Sequence, residues 1–292
     1  MKKTLLLLIL TFLFSFRTYA QVENRLSFLL ENDLTGFAQP LATSIGTAFN
    51  SGGYHDAYIP KLFGFSIGIK GMLILIPDDQ KTFTPKNLPS GYTADKPTAT
   101  IYGDKGSVYS GPLGYLAYPS GLNQSSVPMV FPQASISFMG TELMVRYLPT
   151  IKVDQEEIDL FGFGIKHSIS QYIPLFPVNI AVQFLYNTFS ISNIVDVKNT
   201  AFNVHASKSL GVLTVYGGLQ IESSTVDFKY TFKDPNGLDP SKKNQEISMS
   251  IDGNNKFRMT VGGALNLAFF VINADYSLGN QGVLTTGLTF QF

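Results

Sequence analysis

Three histidines, His55, His167 and His205, are the only imidazoles in the 292 residues, and cysteine is absent. Without H-x-x-x-H or H-x-H spacing and without thiolates there is no metal signature, so neither metal nor cofactor is expected. One pair could do nucleophilic chemistry. His205-Ala206-Ser207 sets an imidazole and a hydroxyl two residues apart, on a strand face that Asn203 shares. A histidine so placed could take the serine proton as general base, provided a third group orients it; Glu222 is the nearest carboxylate downstream. That spacing arises easily by chance, and nucleophile, base and orienting acid must occur together before hydrolysis is credited. A polar lumen or rim face accounts for these residues more simply, and no enzymatic activity is expected.

Two loop features resemble ligand sites and fail their motifs. Ile101-Tyr102-Gly103-Asp104-Lys105-Gly106-Ser107 lacks the spacing of a phosphate loop, and Asp78-Asp79 stands without the further oxygen ligands of a calcium loop. The charges inside alternating segments say more. Glu142 and Arg146, with Met144 and Leu148, fall on the face opposite Leu143, Val145 and Tyr147. Lys166 and Gln183 sit in similar surroundings. If these strands cross a membrane as a barrel, such groups must face the lumen, because a cation at the lipid midplane costs about 2–4 kcal/mol.

Composition supports that setting. Charged residues make up 14% of the chain against 45% hydrophobic, where a soluble domain carries roughly 25% charge. Removing residues 1–20, which hold Lys2, Lys3 and Arg17, leaves 18 basic against 21 acidic residues. A slightly acidic chain has no electrostatic footprint for nucleic acid. Lys2-Lys3, the apolar run Leu5–Phe16 and the Thr18-Tyr19-Ala20 end form the three parts of a secretory signal peptide, with cleavage expected near Ala20. The 12-residue run Val261–Ile272, which contains Asn266 and Gly262-Gly263, is too short for a spanning helix.

The alternation has a period of two. Phe63, Phe65, Ile67 and Ile69 oppose Gly64, Ser66 and Gly68; Phe161, Phe163, Ile165 and Ile169 oppose Gly162, Gly164, Lys166 and Ser168; Leu284, Leu288, Phe290 and Phe292 lie on one face of the last strand. A bulky aromatic face opposite a small, charge-poor one favours a membrane barrel over a soluble sandwich. Tyr147, Tyr172, Phe176, Tyr230, Phe232 and Tyr276 suit interfacial girdles, although each could equally be core.

Turn signals give twelve strands, near 63–75, 128–138, 140–149, 156–171, 177–192, 198–209, 211–222, 225–233, 245–252, 256–265, 268–277 and 282–292, with ten as the fallback. An even count leaves both barrel ends periplasmic, with 77–127, Lys152–Glu157 and the Asp252-Gly253 turn outside and Pro174–Pro177 inside. Lys233–Asn244 then disobeys, as a long periplasmic turn. Residues 21–60 form a helical segment, interrupted at Pro40, that either enters or caps the barrel or serves as a tether. The barrel occupies 61–292, and its long loop 77–127 is a candidate plug or lid. Narrow barrels are filled, so a filled lumen is favoured over a polar route.

The ending Gly287-Leu288-Thr289-Phe290-Gln291-Phe292 resembles the recognition signal of barrels inserted by the outer-membrane assembly machinery. With the leader, the chain looks like an outer-membrane protein of a Gram-negative bacterium, and its Ala20/Gln21 junction is similar to those common in Bacteroidota. Residues 46–52, 61–65 and 162–168 resemble an uncharacterised Bacteroidota outer-membrane β-barrel family distantly like the long-chain fatty acid transporter barrels, which are longer and have fourteen strands. His205-x-Ser207 resembles the pair of outer-membrane phospholipases and lipid A deacylases, without their sequence context.

The expectation is therefore an all-β, antiparallel transmembrane β-barrel with a short N-terminal helical segment, monomeric and surrounded by outer-membrane lipids. Its implied function is passive transport or binding of a small hydrophobic molecule. A non-transporting surface-anchor or secretion-system interaction barrel is the alternative, and an acyl hydrolase the third reading. A filled lumen beneath an ordered loop would favour interaction; a wide lumen or an apolar lateral opening would favour transport.

Overall fold

The computed structural model describes residue 29 and residues 31–292 except 87, 113, 154–155, 174, 193, 232 and 234–243. The leader and its cleavage position at Ala20 lie outside the described residues. The wall is built from β1 (Gly64–Leu75), β6 (Ser126–Phe138), β7 (Thr141–Val153), β8 (Glu156–Ser168), β9 (Asn179–Ile191), β10 (Val195–Leu210), β11 (Leu213–Thr231), β13 (Phe257–Leu267), β14 (Phe270–Leu278) and β15 (Val283–Gln291). Each pairs antiparallel with the next, and β15 returns to β1 through Ile67↔Phe290, so ten strands close the barrel. An eleventh strand, β12 (Glu246–Asp252), continues the line of β13 along the upper part of β11.

Ten, the fallback, is the count, and both surplus strands of the twelve have a physical origin. β11 is one strand of 19 residues where the pattern gives two. Leu213, Val215, Leu219 and Ile221 point outward, whereas Val226, Phe228 and Tyr230 point inward and are buried. The apolar face changes sides along one strand, and a phase change reads as a new element. The second surplus comes from the break at residues 253–256. The Glu222 N–H donates to the Lys256 carbonyl and the Gly253 N–H to the Ser224 carbonyl, so β12 and β13 form one interrupted line. Asp252-Gly253 is thus a kink in the wall, which corrects the external turn. With ten strands, the connection between β11 and β12 leaves from the same end as segment 76–125, removing the long turn that disobeyed.

The change of phase also marks where the environment changes. On β13, Phe257, Met259, Val261, Leu265 and Leu267 face outward and exposed, while Arg258 and Thr260 are buried inside. Its 11 residues extend about 33 Å, or about 25 Å of height at a tilt of roughly 40°, which matches the apolar band of a membrane barrel. This wall is inverted relative to a water-soluble barrel. Above the band the strands continue with the opposite polarity, and their outward side chains pair with one another: Ser190 Oγ donates to Asp159 Oδ2 at 2.6 Å and Thr225 Oγ1 to Asp252 Oδ1 at 2.7 Å.

The interior is occupied. Helix α1 (Glu31–Phe49) stands in the upper lumen with Leu34, Phe37, Leu41, Ile45 and Phe49 fully or almost fully buried. Its N-terminal end lies at the loop end, where Tyr230 Oη donates to the Leu29 carbonyl at 3.0 Å; its C-terminus lies at mid-barrel. Tyr230 is therefore core, the second of the two readings its position allowed, and Phe232 lies outside the described residues. Pro40 is inside the helix rather than at a break, with its carbonyl taken by Ser44 Oγ at 2.8 Å and Gln281 Nε2 at 3.0 Å. Residues 50–60 descend to the turn end, where the Pro60 and Lys61 carbonyls accept the N–H groups of Gly140 and Met139.

Segment 76–125 covers the loop end. It carries two hairpins, β2 (Thr82–Phe83) with β3 (Thr98–Ala99) and β4 (Val108–Gly111) with β5 (Gly114–Ala117). Ile101, Tyr102, Tyr109 and Leu116 join the core around α1, and the Ile101 N–H donates to the Phe37 carbonyl at 3.0 Å. Of the two parts proposed for this loop, it is the lid; α1 is the plug.

Candidate functional site: the plugged lumen

A helix ends with carbonyls that lack partners and with the negative end of its dipole. The last turn of α1 contains no basic residue of its own, and the barrel wall supplies two. Arg146, on β7 and fully buried, donates from Nη1 to the Phe49 carbonyl at 2.8 Å and from Nη2 to the Ser51 carbonyl at 2.7 Å, steadied by Gln133 Oε1 at 3.2–3.3 Å. Its guanidinium carbon also lies 5.7 Å from the Phe131 ring centroid. From the other side Arg258, on β13, donates from Nη2 to the Thr47 carbonyl at 3.0 Å and from Nη1 to Ser51 Oγ. Glu222 balances that charge at 2.8 Å.

Uncharged groups complete the clasp. Asn187 Nδ2 donates to the Phe49 carbonyl at 3.1 Å, Gln220 Nε2 to the Asn50 carbonyl at 3.0 Å, and Asn255 Nδ2 to Thr47 Oγ1 at 3.2 Å. Bonds from four strands, β7, β9, β11 and β13, and from the β12–β13 kink meet one helix end, a geometry that holds a plug. Gly46 matters here: a Cβ at that position would collide with the Ser224 side chain, so its absence lets α1 lie against β11.

The four lumen candidates all face inward. Arg146 is in the clasp, and Gln183, also buried, donates from Nε2 to the Gly53 carbonyl of the descending segment at 3.0 Å. Lys166 Nζ and Glu142 Oε1 form an ion pair of 3.1 Å nearer the turn end. These four therefore divide into two groups, one gripping the plug and one lining the space below it. Alternation missed Arg258, Glu222, Asn187, Gln220 and Asn255. Arg258 was within its reach, since Phe257, Met259 and Val261 lie on the opposite face; the meeting of these strands around α1 was not.

Below the clasp, Ser207 Oγ donates to Asp56 Oδ1 at 2.5 Å and accepts the Ala57 N–H at 3.0 Å. His205 Nδ1 contacts Asn203 Oδ1 at 2.8 Å, its ring stacks on Tyr54 at 3.9 Å, and its Nε2 is buried without a hydrogen-bond partner. Glu222 is engaged with Arg258. The residues suggested for a triad thus hold other partners. Lys70 Nζ reaches Asn273 Oδ1 at 2.6 Å, and Tyr216 Oη donates to Asp275 Oδ2 at 2.8 Å. His167 lies on the outer face, near Thr141 Oγ1 at 2.8 Å and Tyr172 Oη at 2.9 Å. No group of three or more His, Asp or Glu residues that could hold a metal occurs among the described residues.

In the lid, Tyr118 Oη donates to Asp33 Oδ2, in the first turn of α1, at 2.6 Å, while Asp33 Oδ1 accepts the Lys86 N–H at 3.0 Å. Burial, and then the neighbouring carboxylate, push the Tyr118 phenol well above its ordinary value. Burial likewise raises Tyr102 and Tyr109, whereas Lys81 holds Asp78 below the usual carboxylate range. Gly103 and Gly106 pack against the Lys81 and Tyr118 carbonyls too closely for any Cβ, so these glycines serve chain packing.

The model of a family of unknown function, DUF6588, matches residues 1–292. The chain belongs to this family. No curated protein matches the DUF6588 chain. Among solved structures it is similar to Ail, the attachment invasion locus protein of Yersinia pestis, at 12% identity over 79% of this chain and 97% of Ail, with a TM-score of 0.29. It is also similar to the Ralstonia pickettii toluene transporter TbuX, at 10% identity over 80% and 90% with a TM-score of 0.26. LpxR from Salmonella typhimurium gives 10% identity over 78% and 99%, with a TM-score of 0.28. Identity this low transfers no residue role to the DUF6588 barrel.

Proposed function

We propose that the protein is an outer-membrane β-barrel of a Gram-negative bacterium that acts as a closed interaction platform, holding the lid segment 77–127 at the cell surface. The clasp carries this reading: Arg146 and Arg258 fix the end of α1 across the lumen while the lid packs on its other end. A barrel filled in this way is suited to presenting a surface rather than passing solute. Both ends of the barrel wall, at β1 and β15, lie at the turn end; the even strand count supports a periplasmic turn end and a lid facing out. Outer-membrane lipids surround the apolar band. Gly287, Leu288, Phe290 and Phe292 serve as the assembly signal: Leu288, Phe290 and Phe292 face outward, while Gly287 leaves room inside for Lys70 and Asn273. The partners already held by Ser207, His205 and Glu222 support a role without catalysis.

The experiment is surface labelling of single cysteines in a chain that has none of its own. Tyr115→Cys, in the exposed β4–β5 hairpin, should react with an impermeant maleimide on intact cells; Val212→Cys, in the exposed β10–β11 turn, should react only after lysis. The reverse pattern would overturn the orientation, and failure of both sites after lysis would overturn the fold assignment.

A second reading, passage of a small hydrophobic molecule, draws on the apolar upper lumen, where Ile158, Phe189, Val197 and Phe228 surround α1. It requires the helix to leave. Uptake of a hydrophobic dye into liposomes bearing the intact barrel would favour it over the closed platform.

A further inference from the structure

We propose that the cavity at the turn end of the lumen is a binding site for a small, neutral, polyhydroxylated solute such as a monosaccharide or cyclic polyol. The cavity holds about 320 Å³ between residues 53–60 of the descending segment and the wall from β15 through β1 to β8. That is within the range of small-molecule sites. Its inner end meets Tyr54 and His55 of the descending segment, and the filled lumen above makes the site a blind one, suited to retention.

The lining selects the chemistry. Ser66, Ser135 and Ser137 contribute hydroxyls, and Gln133 and Gln291 contribute carboxamides. Gln133 Oε1 is engaged by Arg146, and Gln291 Oε1 faces His55 Nε2 at 3.2 Å, so both amides have NH₂ groups left to offer a ligand. Ser66 Oγ and Ser135 Oγ lie 2.7 Å apart, a pair that can relay donation or acceptance. Among the described lining side chains the charged ones are Lys166 and Glu142, which pair with each other at 3.1 Å, so the side chains make little demand for an ionic ligand. Tyr58 and Phe269, also on the lining, offer apolar surface to the C–H faces of a ring.

Alternatives fit less well. A hydrocarbon would strip water from hydroxyls and amides without replacing their hydrogen bonds. An anion would meet Glu142, and a cation Lys166. A neutral polyol satisfies donors and acceptors together, and this reading does not depend on which way the barrel faces.

The test uses the full-length barrel in a detergent without a sugar headgroup, with folding of every variant checked by heat-modifiable gel mobility. Saturation-transfer NMR is titrated with D-glucose and with myo-inositol, using toluene and acetate as comparison ligands. Saturable binding of a polyol is expected, weakened about tenfold or more in Ser137→Val, because a site built around a hydroxyl contact rejects its loss strongly. Gln291→Leu, close to Gln in size, provides a second variant if the first fails to fold. Absence of saturable binding by both polyols would overturn the proposal, as would polyol binding unaffected by either variant or toluene binding that these variants abolish.

Discussion

Replacing Arg146 by Met should loosen the plug while leaving the wall intact. The guanidinium is fully buried and serves two plug carbonyls, those of Phe49 and Ser51. Phe49 retains a donor in Asn187 at 3.1 Å, so the uncompensated loss is at Ser51, worth about 1–3 kcal/mol for a buried acceptor left without its partner. Loss of the cation from the helix C-terminus adds up to about 2 kcal/mol in a buried setting. Methionine fills much of the volume and removes the cost of burying a charge, which offsets part of the loss. The net, about 3 kcal/mol, corresponds to an increase in local opening on the order of a hundredfold. Hydrogen exchange followed by mass spectrometry reads this directly: amides of residues 46–53 should exchange on the order of a hundredfold faster, while β8 and β9 amides stay protected. Unchanged exchange over 46–53 would refute the clasp. Equal acceleration across the whole wall would refute the separation of plug from barrel.

Gly46→Ala normally helps a helix by about 1 kcal/mol, but here the added Cβ meets Ser224, and a loss of about 1–3 kcal/mol is expected in thermal unfolding of the barrel in detergent; stabilisation would show that α1 does not lie against β11. The Tyr118 phenol, raised in the folded state from an ordinary 10.0, gives a lid contact that is intact below pH 10.0 and weakens as pH climbs above it, because the unfolded lid deprotonates first. Protease nicking of 77–127 should therefore increase above that pH, and Tyr118→Phe should flatten the profile; an unchanged profile would contradict the contact. Phe292→Asp, a charge placed at the outward end of the final strand, should reduce the fraction assembled in the outer membrane on fractionation, and normal insertion would remove that role from the C-terminal residue.

Much of the wall is legible in sequence because lipid imposes one rule per strand. Leu143, Val145 and Tyr147 must face out, so Glu142 and Arg146 must face in, and the structure places them there. The rule fails where the lipid ends. Beyond Ile221 the apolar face of β11 turns inward to pack α1, and a reading tuned to one solvent divides the strand in two. The kink at 253–256 divides the line of β12 and β13 for a different reason, an irregularity in the backbone. The clasp stayed hidden because its members come from separated strands and a helix interrupted in sequence by Pro40; only closure of the barrel brings Arg146 and Arg258 to one helix end. Polar residues inside were visible as a face, but their division into plug contacts and cavity lining depends on how far α1 descends.

The most direct test is ionic conductance in planar bilayers, comparing the intact protein with a variant lacking residues 31–53, each inserted as a folded barrel. The account predicts a silent intact barrel and a steady open pore in the deletion variant, since α1 and its clasp are what close the lumen. Steady conductance by the intact protein, equal to that of the variant, would contradict it.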